Sequence, residues 1–247
     1  MRRLLQKLLT NLWIIAVMYT FCVVLRLVYL VQRWVGRIEI IAPENFPGYD
    51  EPRLLAVSNH QDVYDCMYEV FLVPALFMPL GRILLHPVKS APWVTPDEQN
   101  FMENPVWQVL IGSRAIGVRR GKSGWQSREL RRLYAVRGIA VTQPEGGRTC
   151  TARPGQLVYS KAGRKMRKLK HSVGWLAQHG FSVWPVWIEN GDVPQQPGKR
   201  LFSWPNFRRG KVVVKFGRLM RFPEGTKSAT ELTAIIEKNL LRLADSE

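Results

Sequence analysis

The sequence predicts an α/β protein: a mixed, mostly parallel β-sheet flanked by helices, preceded by an N-terminal helix that attaches to a membrane. Three observations predict this. Residues 12–25 form an uncharged, mostly apolar run, LWIIAVMYTFCVVL. From Ile38 onward, short apolar runs alternate with helix-length segments, as in α/β domains. Hydrophobic residues make up 46% of the 247-residue chain, enough for one sizeable core.

The first element is the apolar helix. Arg26 interrupts its run and Leu27–Val31 continues it, and neither Gly nor Pro occurs before Gly36. One long helix is the simplest reading. The uncharged part falls short of the ~20 apolar residues a spanning helix needs. Counted through Arg26, whose side chain can snorkel, it becomes long enough for a transmembrane helix. Spanning the bilayer and lying in one leaflet both stay open. Arg2, Arg3 and Lys7 precede the run, and Arg26, Arg33 and Arg37 lie within or after it. Positive charge at both ends leaves orientation unspecified. Trp13, Tyr19, Tyr29 and Trp34 suit membrane interfaces. No small-x-small cleavage site follows, which argues against a secretory signal. Residues 1–36 are thus expected to be a membrane-attaching helix and 37–247 the globular domain, with Gly36–Pro52 as the joint.

Within the domain, candidate strands are Arg37–Ile41, Arg53–Ser58, Ala115–Val118, Ile139–Thr142, Ser182–Ile188 and Lys211–Phe216. Candidate helices are Asp62–Phe77, Asn100–Ile111, Gly124–Val136, Lys168–His179 and Lys227–Ala244. The stretch His86–Asn104 contains proline and lacks periodicity. It reads as a lid, a membrane-facing loop or an ordinary long connection. Pro185 within a strand implies an edge, a bulge or a wall beside a site.

The formal net charge is +17, from 36 Lys+Arg against 19 Asp+Glu. That excess suggests a polyanionic partner or simply a solvated basic surface. Six basic residues cluster in Ser160–His171, SKAGRKMRKLKH. Beside a membrane helix such a run suits anionic headgroups or an acidic carrier protein. It carries no interleaved aromatic residues, which argues against nucleic acid. The three cysteines, Cys22, Cys66 and Cys150, are far apart and show no C-x-x-C spacing. They suggest neither a disulfide framework nor a zinc site, and suit a reducing compartment.

Candidate chemistry begins at Ser58-Asn59-His60-Gln61-Asp62-Val63-Tyr64-Asp65, after the apolar run Leu54–Val57. With Ser58 or Asn59 as helix N-cap, His60 lies on the turn and Asp65 one turn into the helix. The helix N-terminus then disfavours imidazolium and keeps His60 neutral, and Asp65 can fix its tautomer. Asp62 is a rival orienting carboxylate, and a purely structural pair is the competing reading. Ile116–Lys122, with Arg119, Arg120 and Lys122 after a short strand, is either a phosphate-holding edge or a solvated turn. Pro144-Glu145-Gly146-Gly147-Arg148-Thr149 follows another apolar run. Its glycines allow a ligand to approach the backbone closely, or simply mark a turn. Glu145 could position a neighbouring arginine. Val183–Ile188 is an apolar stretch around Pro185.

In this order the four blocks resemble those of the glycerolipid acyltransferase superfamily, which includes 1-acylglycerol-3-phosphate acyltransferases and tafazzin. Asn59, His60 and Asp65 match its N-H-x-x-x-x-x-D block, with the H-x-x-x-x-D core. Ile116–Gly121 matches the second block, with Arg120 as its arginine. Glu145-Gly146-Gly147-Arg148 stands for E-G-T-R, and Val183–Ile188 for the fourth block. The likeness covers roughly residues 53–188. Gly117 and Gly147 depart from the usual residues, and Asp62 stands where serine is common.

The resemblance implies that an acyl group passes from a thioester donor to the free hydroxyl of a lysophospholipid, most simply 1-acylglycerol-3-phosphate. His60 would be the general base and Asp65 its orienting partner. Arg120 and Arg148 would grip the acceptor's phosphate, with Glu145, Gly146 and Gly147 shaping that pocket. No cofactor or metal is implied, and acyl-coenzyme A or acyl-acyl-carrier-protein enters as donor substrate. Membrane phospholipids and the carrier are the implied partners, and the cytoplasmic face of a bacterial inner membrane the implied location. The alternatives are a tafazzin-like phospholipid transacylase and a catalytically silent, basic membrane-binding protein of the same fold.

Overall fold

The computed structural model describes residues 2–48, 51–60, 85, 92–95, 103, 115–117, 139–146, 149, 152–190, 211–223, 225 and 227–246. The sheet contains β1 (Ile38–Ile41), β2 (Leu54–Ser58), β3 (Trp93–Val94), β4 (Ile139–Thr142), β7 (Ser182–Asn190) and β8 (Val212–Phe216). Its strand order is β1-β8-β7-β2-β4-β3. All neighbours pair in parallel except β7 and β8, so the sheet is mixed and mostly parallel, as the sequence predicts.

The central strands β7, β2 and β4 are buried on both faces, which is why they read as continuous apolar runs rather than alternating ones. Leu54, Ala56, Trp184, Val186 and Ile188 point to one core, which also holds Val214 and Phe216. Leu55, Val57, Val183 and Trp187 point to the other. There they meet α2 (Ser172–Gln178) and α3 (Ala229–Ala244). Helix α3 presents Leu232, Ile236 and Leu240 to this core at four-residue spacing, one stripe of a helix. Ser228 starts it with a capping box: its side chain accepts the Glu231 N–H, and Glu231 reaches back to the Ser228 backbone.

Pro185 lies in an interior strand, between β2 and β8. The interruption it requires falls in the neighbour. The β7–β8 ladder runs to Val186↔Phe216, and strand pairing resumes only at the Val183–Met220 bridge. Between them Gly217 donates its N–H to the Pro185 carbonyl at 2.9 Å. A Cβ on Gly217 would stand 2.6 Å from Pro185 Cγ, so glycine is what lets the chain turn over the proline ring.

Apart from the strand expected at Ala115–Val118, of which only a bridge at Ala115 is seen among the described residues, two features depart from the expected elements. The basic run supplies the turn and second strand of a two-stranded antiparallel hairpin, β5 (Leu157–Tyr159) and β6 (Lys165–Arg167), rather than a lead-in to a helix. Helix α2 accordingly starts at Ser172 rather than Lys168. The N–H groups of Lys168, Leu169 and Lys170 go instead to Gln156 O, Glu237 Oε2 and Pro144 O. The other departure is β3, a short strand inside the stretch expected to be a loop. Ala115 bridges to its Val94, and Ile116 donates to Val94 O at 2.9 Å. Helices expected at 62–77 and 124–136 lie outside the described residues, as does the one at 100–111 apart from Glu103, which lies in a bend.

Helix α1 spans Arg2–Trp34. Tyr29 is buried against the β1–β8 side of the sheet. Leu5, Leu8, Leu9, Leu12, Trp13, Leu27, Leu30, Val31 and Trp34 are exposed. At ~100° per residue they fall within a sector of about 140°, with Tyr29 outside it. Among the described residues no helix is long and apolar enough to cross a membrane.

Candidate active site

The parallel register brings the ends of β2 and β4 level, beside the middle of β7. Val57 is opposite Thr142 on β4 and Pro185 on β7, and Ser58 is opposite Val186. The loops after β2 and β4 therefore leave the same edge of the sheet, where open α/β sheets hold their ligands. His60 is two residues beyond β2, and Glu145 three beyond β4.

Asn59, fully buried, extends the β2–β7 ladder with its side chain. Its amide nitrogen donates to Ile188 O at 2.7 Å, and its Oδ1 accepts the Ile188 N–H at 2.7 Å. The residue that the sequence offers as a helix cap thus commits its amide to β7. Ser58, the other candidate cap, is also fully buried, and its hydroxyl has no hydrogen-bond partner among the described residues.

His60 is held through its peptide groups. Its N–H donates to Glu145 Oε1 at 2.5 Å, and its carbonyl accepts the Thr149 N–H at 2.7 Å. The Thr149 hydroxyl lies 3.1 Å from the same carbonyl oxygen and 2.9 Å from Glu145 Oε2. That carboxylate oxygen also accepts the Arg167 N–H at 2.7 Å. Glu145 is 1% exposed, so its charge is met by inward-facing donors from three segments. In this arrangement it ties the post-β2 turn to the β6 end of the hairpin.

Gly146 has φ +68°, a left-handed conformation that glycine adopts without strain. A Cβ there would stand 3.0 Å from Lys170 Cε, so the lysine stem lies across the glycine. The Lys170 N–H donates to Pro144 O at 2.8 Å, which pins this cation to the same loop. Ile188, beyond its contact with Asn59, is followed by Glu189, which pairs with Arg164 of the hairpin. Of the predicted site residues, His60, Glu145 and Gly146 are therefore brought together at one sheet edge. Asp65, Arg120, Gly147 and Arg148 lie outside the described residues. Among the described residues, no group of three or more His, Cys, Asp or Glu could hold a metal ion.

The chain is similar to a solved acyltransferase. One match is the crystal structure of the 1-acyl-sn-glycerophosphate (LPA) acyltransferase PlsC from Thermotoga maritima, at 18% identity and a TM-score of 0.49, covering 98% of this chain and 97% of that one. A likeness this distant leaves substrate and site residues to the geometry of the chain itself. No family model and no curated protein matches the chain.

Sequence reasoning missed three participants. Thr149 was visible only as the polar residue ending the third block. Lys170 was counted with the basic run, yet it crosses the Gly146 loop. The Arg167 N–H reaches Glu145 because the hairpin folds back, and no residue type announces a backbone donor.

Proposed function

We propose that the chain is a membrane-attached acyltransferase that moves a fatty acyl group from a thioester donor to the free hydroxyl of a lysophospholipid, 1-acylglycerol-3-phosphate in the simplest case. His60 takes the proton from the acceptor hydroxyl as the oxygen attacks the thioester carbonyl. The tetrahedral intermediate collapses with expulsion of the thiolate, which receives that proton from the imidazolium. Asp65 orients the ring and stabilises its charged form. Arg120 and Arg148 bind the acceptor's phosphate through charge-assisted bonds, with Gly146 and Gly147 giving the phosphate access to the backbone.

The observation that carries this reading is the joining of three sequence blocks around one histidine. Block one supplies Asn59 and His60, and Glu145 of block three accepts the His60 N–H. Ile188 of block four exchanges two hydrogen bonds with Asn59. A histidine serving only to pack would not require its peptide groups to be tied to residues 85 and 89 positions away, nor its neighbour Asn59 to be tied to one 129 positions away.

Membrane attachment is supported by the exposed apolar sector of α1. With a buried tyrosine outside that sector, the helix suits insertion into one leaflet, its apolar side among acyl chains. The basic hairpin then adds attraction to anionic headgroups.

The test uses purified full-length protein, vesicles, a panel of lysophospholipids and labelled acyl-coenzyme A, acyl carrier protein or diacyl phospholipid. The expected result is acylation of 1-acylglycerol-3-phosphate from a thioester, with a His60→Ala variant slower by about 10²–10⁴-fold while it still floats with vesicles. Acylation from the diacyl lipid alone would make the chain a transacylase. Full activity in His60→Ala would overturn the mechanism, and vesicle binding without transfer from any donor would leave a silent binding protein.

A further inference from the structure

A general base must be held in place as well as kept neutral. His60 has both of its peptide groups engaged by one short segment. Glu145 accepts its N–H at 2.5 Å, and the Thr149 N–H donates to its carbonyl at 2.7 Å. These two bonds fix the peptide planes on either side of the His60 Cα, and with them the direction of the Cα–Cβ bond. Between the two lies the Thr149 hydroxyl, 3.1 Å from the His60 carbonyl oxygen and 2.9 Å from Glu145 Oε2. Thr149 is 6% exposed, so water does not readily replace that hydroxyl.

We propose that Thr149 is a positioning residue for His60: its hydroxyl couples the Glu145 carboxylate to the His60 carbonyl and so fixes the direction from which the imidazole reaches the substrate. The inference rests on the acyl-transfer reading for its kinetic consequence, and on geometry alone for the placement of the ring. A hydroxyl has one proton, which serves the two acceptors by sharing or exchange. Valine has nearly the same shape and keeps the residue's N–H bond to His60. Thr149→Val therefore deletes the coupling while leaving the chain path in place. Thr149→Ser keeps the hydroxyl and loses only a methyl group.

Misplacing a reacting group by about 1 Å can slow a reaction by ~10²-fold, and a loosened clamp moves the ring by less. The expected kcat of Thr149→Val, per folded molecule, is therefore lower by roughly 10-fold. KM for 1-acylglycerol-3-phosphate should stay within about twofold, because Thr149 is not among the groups assigned to its phosphate. Thr149→Ser should regain most of the lost rate.

The second readout is the His60 Cε1–H resonance in histidine-labelled full-length protein in detergent micelles, assigned by its loss in His60→Gln. Its position should move in Thr149→Val and return in Thr149→Ser. A Thr149→Val enzyme with wild-type kcat, or an unmoved His60 resonance, would overturn the proposal. So would equal losses in the Val and Ser variants. If valine does not fold, Thr149→Ala makes the same deletion with less crowding. If the wild-type protein transfers no acyl group, the enzyme reading fails, and the resonance still decides whether the hydroxyl positions the ring.

Discussion

Asn59 shows how one side chain can decide the geometry of a site. Its amide carries the β2–β7 ladder past the last backbone pair and holds Ile188 by both peptide groups. Asn59→Ala would leave a buried N–H and a buried carbonyl without these partners. At about 1–3 kcal/mol for each buried group left unsatisfied, a loss of roughly 2–6 kcal/mol is expected, read as a lower urea midpoint at unchanged m-value. Acyl transfer should fall with it, since the adjoining His60 loses its footing. A midpoint within experimental error of wild type would mean that the ladder ends at Ser58 after all. His60 and Glu145 were legible in the sequence because a histidine or carboxylate after an apolar strand is chemically conspicuous. The direction of the Asn59 amide and the part played by Thr149 were not. Both depend on strand register, which brings together residues far apart in the chain, and residue identity carries no mark of register.

At the scale of elements, the long strands were legible because each is a buried apolar run, and Ile139–Thr142 has the bounds its sequence suggests. The hairpin was not. Its β6 is three residues long and buries only Met166 between Lys165 and Arg167, too short a run for alternation to show. What makes it a strand is the β5 partner and the donors it offers to Glu145, not its own propensity. Gly174 gives the sharper lesson. In a helix-length segment it looks like a weak point, about 1 kcal/mol worse than alanine. In the fold it is where α2 and α3 cross: a Cβ there would stand 1.9 Å from Ala229 O and 2.3 Å from Thr233 Oγ1. Gly174→Ala, favoured by helix propensity, should therefore destabilise, because the helices must move apart and open the core holding Leu232 and Ile236. The expected cost lies at or above the upper end of ~1–3 kcal/mol for overpacking. Differential scanning calorimetry would measure it, and a raised Tm would show that the two helices are free to separate at that point.

At the scale of the whole molecule, three carboxylates fasten segments remote from the site. Glu51 accepts from Arg221 and from the Ser182 hydroxyl, joining the approach to β2 with the start of β7 and the segment after β8. Asp245, at the end of α3, accepts the Ser160 hydroxyl and the N–H groups of Lys161 and Ala162, and so holds the turn of the basic hairpin. Glu231 closes the cap of α3. Each is held below its ordinary value: Glu51 by Arg221 and then Ser182, Glu231 by the Ser228 backbone and then its hydroxyl, and Asp245 by Ser160. Folded carboxylates with depressed values bind protons more weakly than unfolded ones, so the unfolded chain takes up more protons as pH falls. The stability they contribute is fully present above the ordinary values of 4.5 and 3.8, and is lost as pH drops through the lower folded values. Protonation also removes negative charge from a chain already at +17, and the added self-repulsion acts in the same direction. Tm should therefore hold level from neutrality down to about pH 5 and fall progressively below it, as linkage requires. The repulsive part of the fall should shrink when salt is added, because screening shortens the reach of surface charge. Asp245→Asn should lower Tm at neutral pH and flatten the acid limb, since the amide keeps an acceptor but has no charge to lose. A Tm that stays constant to pH 3 in wild type, or an acid limb as steep in Asp245→Asn, would show that these ties do not hold the hairpin and sheet together.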